Sequence, residues 1–574
     1  MRMKFNTTIQ PLCISGSLAL LLVGCKGNDK EQTALGPDIE VGTPLPPVGL
    51  AGDFRIKPYL QNPASDAMTI MWFSESATPG ELTVDGVGTF ISNPVQAELL
   101  DYSESEINYI HDPAKNQGLI HASTEAGKAP NLPYQHQIRV TQLKPNQQYT
   151  YRVNQAGDIF ESTLKTAPTT GSTSSVKFVV MSDMETEPES TNKAVKWAAS
   201  AIKISGWKLD TDPASQNRDY LVDQTKGYKQ TLNYALKANP NFWLIAGDLV
   251  EKGGRQLDWD EFWRHSAGEW GTLASQAPIL PALGNHENYW QPSGAAYGPG
   301  AVKRAYDKWR TYFELPSNQV SNDQYNERFY RLDYGPVTII TLDSSNGDDT
   351  DVSKDTNLAI DGQTSNVPDF NYGTEQWQWA VHQLADARAK GQIIFVQWHH
   401  MAYGTGVHSL KSGNAGIANN EDSQSGLPMR IYHDLMKTYG VTAVFSGHNE
   451  LLETVELDGV HYWDVGISGD GLRGPGYFPT TSYVPFDLLP EQAQKTHWSA
   501  HGDSQEMWVG QQLIDGGKHY GFVEVEVNPQ SSQGEYEIVI RPRYSVPEVD
   551  AQGNFTGKFN ERVYNKIIHV KKKI

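Results

Sequence analysis

Only two cysteines occur, Cys13 and Cys25, both close to the start of the chain. A disulfide framework is thereby excluded for everything that follows, so the fold must rest on its apolar core. Positive charge is also scarce: 47 Lys and Arg stand against 67 Asp and Glu, giving a formal net charge of −20. No basic stripe interrupts this balance except Lys571-Lys572-Lys573. That argues against a nucleic acid duplex as partner, because binding a phosphate backbone needs clustered Lys and Arg. A small anionic substrate would need local positive charge, which a metal ion can supply. There is no internal repeat, and the apolar run from Leu12 to Val23 is too short to span a bilayer comfortably. What is present, 38% hydrophobic residues with 27 Tyr and 15 Trp, is a globular composition. At 574 residues the chain exceeds one ordinary core, so two or more domains are expected.

Arg2 and Lys4 followed by the short apolar run read as a secretory signal. Its ending, Leu22-Val23-Gly24-Cys25, resembles a bacterial lipobox. The resemblance implies that residues 1–24 are a lipoprotein signal peptide and that acylated Cys25 holds the exported protein to a lipid bilayer of the bacterial envelope, periplasmic or outer-membrane face. An ordinary signal peptide or an uncleaved anchor is the alternative. Residues 25–52, rich in Gly, Pro and acids, read as a flexible tether.

Residues 53–167 show short alternating strands with turn signals and no convincing amphipathic helix, which predicts an all-β sandwich. His111, His121 and His136 lie in it without ligand spacing and read as surface or packing residues. Residues 168–175 form a linker rich in Gly, Ser and Thr. From 176 to 545 apolar strands alternate with helical stretches near 193–204, 228–238, 374–390 and 427–439, which predicts an α/β domain. Residues 546–574 are set apart as a C-terminal extension. Three long polar insertions, 206–224, 344–372 and 473–511, leave strands at the same end of the sheet. Asp348, Asp349, Asp351 and Asp355 in the second lack the spacing of a calcium loop and read as solvated.

The chemistry gathers where the apolar runs stop. Phe242-Trp243-Leu244-Ile245-Ala246 ends in Gly247-Asp248; Lys177 to Ser182 ends in Asp183-Met184-Glu185; Ile279 to Leu283 ends in Gly284-Asn285-His286-Glu287. Ile393 to Trp398 ends in His399-His400, and Val444-Phe445-Ser446 in Gly447-His448-Asn449-Glu450. One Asp after a strand is ordinarily a turn residue. Five such endings in one α/β domain place Asp, Asn, His and Glu around one pocket beyond the carboxyl ends of the strands. Mixed oxygen and imidazole ligands suit divalent ions, and a pair of ions needs a shared ligand, for which Asp248 is the natural bridge.

These ordered motifs, with Val396-Gln397-Trp398-His399, resemble the calcineurin-like metallophosphoesterase superfamily. Lys57-Pro58-Tyr59-Leu60-Gln61-Asn62-Pro63 and Met68-Thr69-Ile70-Met71-Trp72 resemble the fibronectin-III-like N-terminal domain of purple acid phosphatases. Phe329 to Pro336, Thr341-Leu342-Asp343-Ser344 and Tyr403-Gly404-Thr405-Gly406 match further. The resemblance implies an N-terminal fibronectin-III-like sandwich followed by an α/β metallophosphoesterase domain of two mixed sheets flanked by helices. It implies a second metal site of Asp248, Asn285, His399 and His448, His399 being preferred to His400 because it lies three residues after Val396. His286 resembles the family's catalytic His, with Glu287 expected to orient it; Asn285 and His286 would also meet the substrate. His400 is a substrate-side, supporting or packing residue, and Arg473 either reaches a substrate phosphate or makes a loop salt bridge.

The first site departs from the family pattern. Glu251 and Glu450 stand where purple acid phosphatases have Tyr and His, so this site would combine Asp183 and Asp248 with some of Glu185, Glu450 and Glu251. The implied cofactors are two divalent or mixed-valence metal ions, Zn, Mn or Fe at the second site and Mg, Mn or Ca at the first. The implied activity is hydrolysis of small phosphate monoesters by metal-bound hydroxide. A phosphodiesterase or nucleotidase on the same scaffold, and a non-catalytic surface binding protein, are the alternatives. Trp259, Trp263 and Trp270 read as packing, and His461 as a core histidine.

Overall fold

A computed structural model describes residues 52–116, 118–119, 125–197, 219–288, 299–345, 367–406, 429–472, 489–500, 506–510, 512–532 and 534–574. Cys25, His121, the Asp348 to Asp355 acids and Arg473 lie outside these residues.

Alternation of apolar and polar residues builds the first layer. Phe54–Gln61, Met68–Ser74, Tyr134–Val140 and Val95–Gln96 form one antiparallel sheet. Gly88–Ile91, Glu81–Val84, Gln148–Gln155 and Asp158–Lys165 form the other. Leu60, Ile70, Trp72, Leu82, Tyr151 and Val153 fill the space between them, so the expected sandwich is present. His136 is buried against the Trp72 ring and bonded to Ser74 and Ser92, a packing residue as expected. One element departs from expectation. Glu104–Ile110 is a helix, started by a capping box in which the Ser103 hydroxyl and the Glu106 carboxylate each take the other's backbone N–H.

The sandwich does not stand apart. Ile56, Tyr59, Met71 and Phe73 share a core with the α/β part, and Tyr59 meets the Trp263 ring with centroids 4.4 Å apart. Trp259 and Trp263, on the helix Gln256–Ser266, are packing residues as read from sequence; Trp270 lies under the Arg264 guanidinium.

The α/β part holds two mixed sheets. In the first, Val176–Met181, Phe242–Ile245 and Ile279–Pro281 run parallel, and Tyr520–Pro529 with Glu535–Val549 add antiparallel strands. In the second, Val337–Thr341, Ile393–His400, Ala443–Gly447 and Val460–Val465 run parallel, with antiparallel Tyr330–Tyr334 and Leu452–Leu457 outside them. The sheets meet through Phe178 of the first and Phe395 and Phe445 of the second, with centroids 5.2 and 6.3 Å apart. Helices Gln224–Lys237, Glu375–Ala389 and His433–Tyr439 match three of the expected helical stretches.

The fourth is corrected. Ala194–Trp197 is a strand paired with Tyr220–Asp223, because pairing sets Val195 and Trp197 against the core at period two. Residues 198–218 lie outside the described residues. The segment 546–574 continues the sheet: Glu535–Val549 runs across position 546, and Phe555–Val563 and Ile568–Lys573 both pair with it. Among the described residues no helix is long and apolar enough to cross a membrane.

Candidate metal centre

Three of the buried strands, those leading to Asp183, Asp248 and His448, end by turning sharply, and the turning residues are candidate ligands. Asp183, Glu185, Asp248, His448 and Glu450 have φ of 54°, 42°, 53°, 75° and 51°. Non-glycine residues rarely hold such angles, and they do so where surrounding contacts over-determine them. Those contacts are visible. Beyond the strand ends the first two loops stay zipped, Met184 N–H to Asp248 C=O at 2.8 Å and Thr186 N–H to Leu249 C=O at 3.3 Å. The Glu287 carboxylate takes the N–H groups of Gly284 (2.8 Å), Asp248 (2.9 Å) and Leu249 (2.7 Å). Glu287 therefore fixes two loops to one another, and the expectation that it orients His286 is corrected. The Glu251 carbonyl does that, accepting from His286 Nδ1 at 2.7 Å.

Across the seam between the sheets, His448 N–H meets both Asp183 oxygens, at 2.9 and 3.1 Å. His399 Nδ1 donates to the Ala246 carbonyl at 2.8 Å. A carbonyl can only accept, so this bond puts the ring proton on Nδ1 and leaves Nε2 as the ligand atom. Nε2 faces Asp248 Oδ2 at 2.8 Å and Asn285 Oδ1 at 3.0 Å. Two side-chain oxygens thus lie against Nε2, an arrangement a divalent ion satisfies by taking the place of the Nε2 proton.

The ligand atoms fall into four groups, each with its members' atoms mutually within 4.8 Å: His399, His400 and His448; Asp183, Asp248 and His399; Glu185, Asp248 and His286; and Glu185, Glu450 and Asp470. Consecutive groups share a residue, so they form one strip running from imidazole to carboxylate. Asp248 belongs to the two middle groups, the position expected of a bridging ligand. The electrostatics follow the crowding. Burial, with Asp248 adding to it, raises the Asp183 carboxyl to about 6. Burial acts against charge on His399 and His286, yet Asp248 and its acidic neighbours bring these imidazoles up to about 9 and about 10. Burial also acts against the Asp248 carboxylate, but His399 and His286 hold it below the usual range.

Two readings left open by the sequence are narrowed. His400 is fully buried, its Nδ1 2.9 Å from Ser344 Oγ and its ring 4.5 Å from that of His448, which fits the supporting role among those open to it. Glu251 lies close by through its carbonyl but belongs to none of the ligand groups. Sequence reasoning missed Asp470 altogether. It also missed the supporting role of Ser344, which accepts the N–H of His399 and of His400, each at 3.1 Å. Arg328, fully buried, links Asp343 (2.7 Å) and Asn288 (2.6 Å) and so joins the loops of the two sheets. The match at Thr341-Leu342-Asp343-Ser344 was the signal for this support. His461 is buried in its strand as read.

Comparison with known proteins agrees with this geometry. The family description calcineurin-like phosphoesterase matches residues 176–449, and purple acid phosphatase, N-terminal domain, matches residues 54–174. The chain belongs to the calcineurin-like phosphoesterases as a purple acid phosphatase-like member. It is similar to probable inactive purple acid phosphatase 27 of Arabidopsis thaliana, 23% identical over 54% of this chain and 42% of that one. It is likewise similar to probable inactive purple acid phosphatase 1 of the same plant, 23% identical over 59% and 49%. The chain thus spans less than half the length of these curated relatives. Among solved structures it shares the fold of purple acid phosphatase PPD1 from yellow lupin, with a TM-score of 0.50, 16% identity and coverage of 88% of this chain and 73% of that one. PhoD gives a TM-score of 0.50, 12% identity and 92% coverage of both chains.

Proposed function

We propose that this protein hydrolyses small phosphate monoesters at a centre of two metal ions. The observation carrying this reading is the approach of Asp248 Oδ2 and Asn285 Oδ1 to His399 Nε2, at 2.8 and 3.0 Å, with His399 Nδ1 held by the Ala246 carbonyl. Asp248, Asn285, His399 and His448 would hold one ion, of the Zn, Mn or Fe class. Asp183, Asp248, Glu185 and Glu450 would hold the other, whose oxygen ligands favour Mg, Mn or Ca. Bound ions of this kind shield phosphate charge and bring the pKa of water toward ~7.

The chain's own residues do the rest. Asn285 and His286 are only partly buried and border the substrate. The Glu251 carbonyl fixes the Nδ1 proton of His286, so Nε2 is the atom that passes a proton to the departing alcohol. Acylation of Cys25 places the exported protein at a lipid bilayer, and palmitate labelling lost in Cys25→Ser tests this.

Turnover of p-nitrophenyl phosphate against its bis ester, with metal counted in the same preparation, tests the activity. Two ions per chain and a monoester preference support it; a strong diester preference moves the reading to a phosphodiesterase or nucleotidase. A non-catalytic reading takes support from the word inactive in the names of both curated relatives. Against it, the changed first-site positions hold Glu, itself a competent ligand. Fewer than two ions and no ester hydrolysis would sink the enzyme reading.

A further inference from the structure

His286 is set by a short loop, residues 251–255. The Glu251 carbonyl takes its Nδ1–H at 2.7 Å, and Gly253 N–H bonds the His286 carbonyl at 2.8 Å. The approach excludes a side chain at 253, where a Cβ would lie 2.8 Å from the Glu287 Cα. These five residues belong to no helix or strand, so the shape of the loop depends on what holds its remaining polar groups. The Gly253 carbonyl accepts from Trp259 Nε1 at 2.7 Å, and the Gly254 carbonyl from Arg304 Nε at 2.8 Å.

Arg304 stands on the helix Pro299–Tyr312, and its other nitrogens reach the sandwich. Nη1 meets both Asp101 oxygens, at 2.8 and 3.0 Å, and Nη2 the Asp101 carbonyl at 2.9 Å. One planar guanidinium thus connects the sandwich to the loop of His286, with a rigidity that a flexible ammonium lacks. Lys308, one turn along the same helix and fully buried, fixes the same sandwich segment through the carbonyls of Leu99 (3.1 Å) and Asp101 (2.8 Å), and meets Gln256 Oε1 at 3.1 Å. A second, independent grip follows directly after the loop. The helix Gln256–Ser266 has no side-chain cap of its own, and the Glu106 carboxylate of the sandwich helix Glu104–Ile110 accepts its Leu257 N–H at 3.1 Å.

We propose that Arg304 is a positioning residue for His286, through which Asp101 of the N-terminal sandwich holds the 251–255 loop in the shape that orients the imidazole. The sandwich then takes part in the chemistry of the other domain without touching substrate or metal. The proposal rests on the reading of His286 as proton donor to the departing alcohol and adds what fixes its orientation. A fork that only joined two domains would contribute stability alone. One that positions His286 acts on the step His286 serves, since misplacing a reacting group by about 1 Å can cost about 10²-fold in rate.

The test uses the full chain and two substrates, glycerol 2-phosphate, whose alkoxide leaves poorly, and p-nitrophenyl phosphate, whose phenolate needs little help. Arg304→Gln is expected to lower kcat about tenfold to a hundredfold on the first and less than about threefold on the second, with KM and metal content at wild-type values. Asp101→Asn, which weakens the fork at a half-exposed side chain, is expected to give the same pattern more weakly, and the double variant to be no worse than Arg304→Gln. Labelling with ¹⁵N-histidine reads the geometry without turnover. The His286 Nδ1–H signal, identified by its loss in His286→Asn, is expected to exchange with solvent at least about tenfold faster in Arg304→Gln. An equal fall on both substrates, or lowered stability with the ratio of the two kcat values and the proton exchange unchanged, overturns the proposal. If Arg304→Gln does not fold, wild-type values in Asp101→Asn overturn it instead. Failure of the phosphoesterase reading looks different: wild type hydrolyses neither ester, while the exchange difference persists.

Discussion

The Glu287 carboxylate accepts the backbone N–H of Asp248 at 2.9 Å, so the proposed bridging ligand is held in its left-handed turn by a residue that belongs to none of the ligand groups. The same carboxylate takes Gly284 and Leu249. In Glu287→Gln an amide N–H₂ replaces one acceptor and confronts a backbone donor. Loss of such support typically weakens metal binding about 10–100-fold. Competition with a chromophoric chelator measures this, and unchanged affinity would mean that shape alone sets the turn.

Gly447 is required for contact, not for its dihedral angle. A Cβ there would lie 2.1 Å from Asp183 Oδ2 and 2.1 Å from Ser182 Oγ. Neither neighbour is the free end of a long side chain: Asp183 is tied to His448 N–H and Ser182 to the Ala246 carbonyl. Gly447→Ala is therefore expected to displace the Asp183 carboxylate and lower metal content below two per chain. Thermal unfolding should fall by only a few kcal/mol, in the range of core overpacking, about 1–3 kcal/mol. Full metal content in folded Gly447→Ala would refute this.

Much of this centre was legible in the sequence because strand-end residues are marked twice, by an apolar run and by an abrupt Gly-Asp, Gly-Asn or Gly-His. Asp248, Asn285 and His448 carry both marks, Asp183 and His399 the apolar run alone, and the structure brings all of them together. Asp470 carries only the second: its Gly469-Asp470 stands well beyond the strand Val460–Val465, within Gly466-Ile467-Ser468-Gly469-Asp470-Gly471, where it reads as an ordinary loop acid, and only the pairing of distant loops brings it to Glu185. Local patterns also mislead where pairing overrides them. The 193–204 stretch has helical spacing, yet Ala194–Trp197 finds a partner strand in Tyr220–Asp223. His400 has a substrate-side, a supporting and a packing role open to it in the sequence, and only the folded strand shows its ring 4.9 Å from that of His399 with Nδ1 bonded to Ser344. The helix at Glu104–Ile110 was signalled by Ser103 and Glu106, a capping box that is easily overlooked amid strands.

His286 is assigned the moving of a proton because the Glu251 carbonyl holds its Nδ1 proton at 2.7 Å, although its Nε2, 3.8 Å from Glu185 Oε1 and 3.9 Å from Asp248 Oδ2, also belongs to a ligand group. Replacement by Asn keeps a polar group but cannot carry the proton. His286→Asn is expected to lower kcat on a monoester with a poor leaving group by about 10²–10⁴-fold, the usual worth of a positioned acid. An activated aryl ester, whose leaving group needs less help, should lose less. Metal content should stay at the wild-type value; a fall in metal would make His286 a ligand instead.

The sandwich contributes a pH dependence separate from the metal centre. His136 is fully buried, with its ring nitrogens 2.7 Å from Ser74 Oγ and 2.8 Å from Ser92 Oγ, and burial pushes the imidazole down to about 4. The folded chain thus refuses a proton that the unfolded chain accepts below about 6.5. Unfolded protein binds more protons between these values, so stability rises with pH across that window and is lost as pH falls from about 6.5 toward 4. The shift corresponds to at most about 3 kcal/mol at the low end. Urea midpoints for loss of the sandwich should therefore fall between pH 7 and pH 4.5, more steeply in wild type than in His136→Gln, which has no proton to gain. Parallel pH profiles for the two proteins would place the acid sensitivity elsewhere.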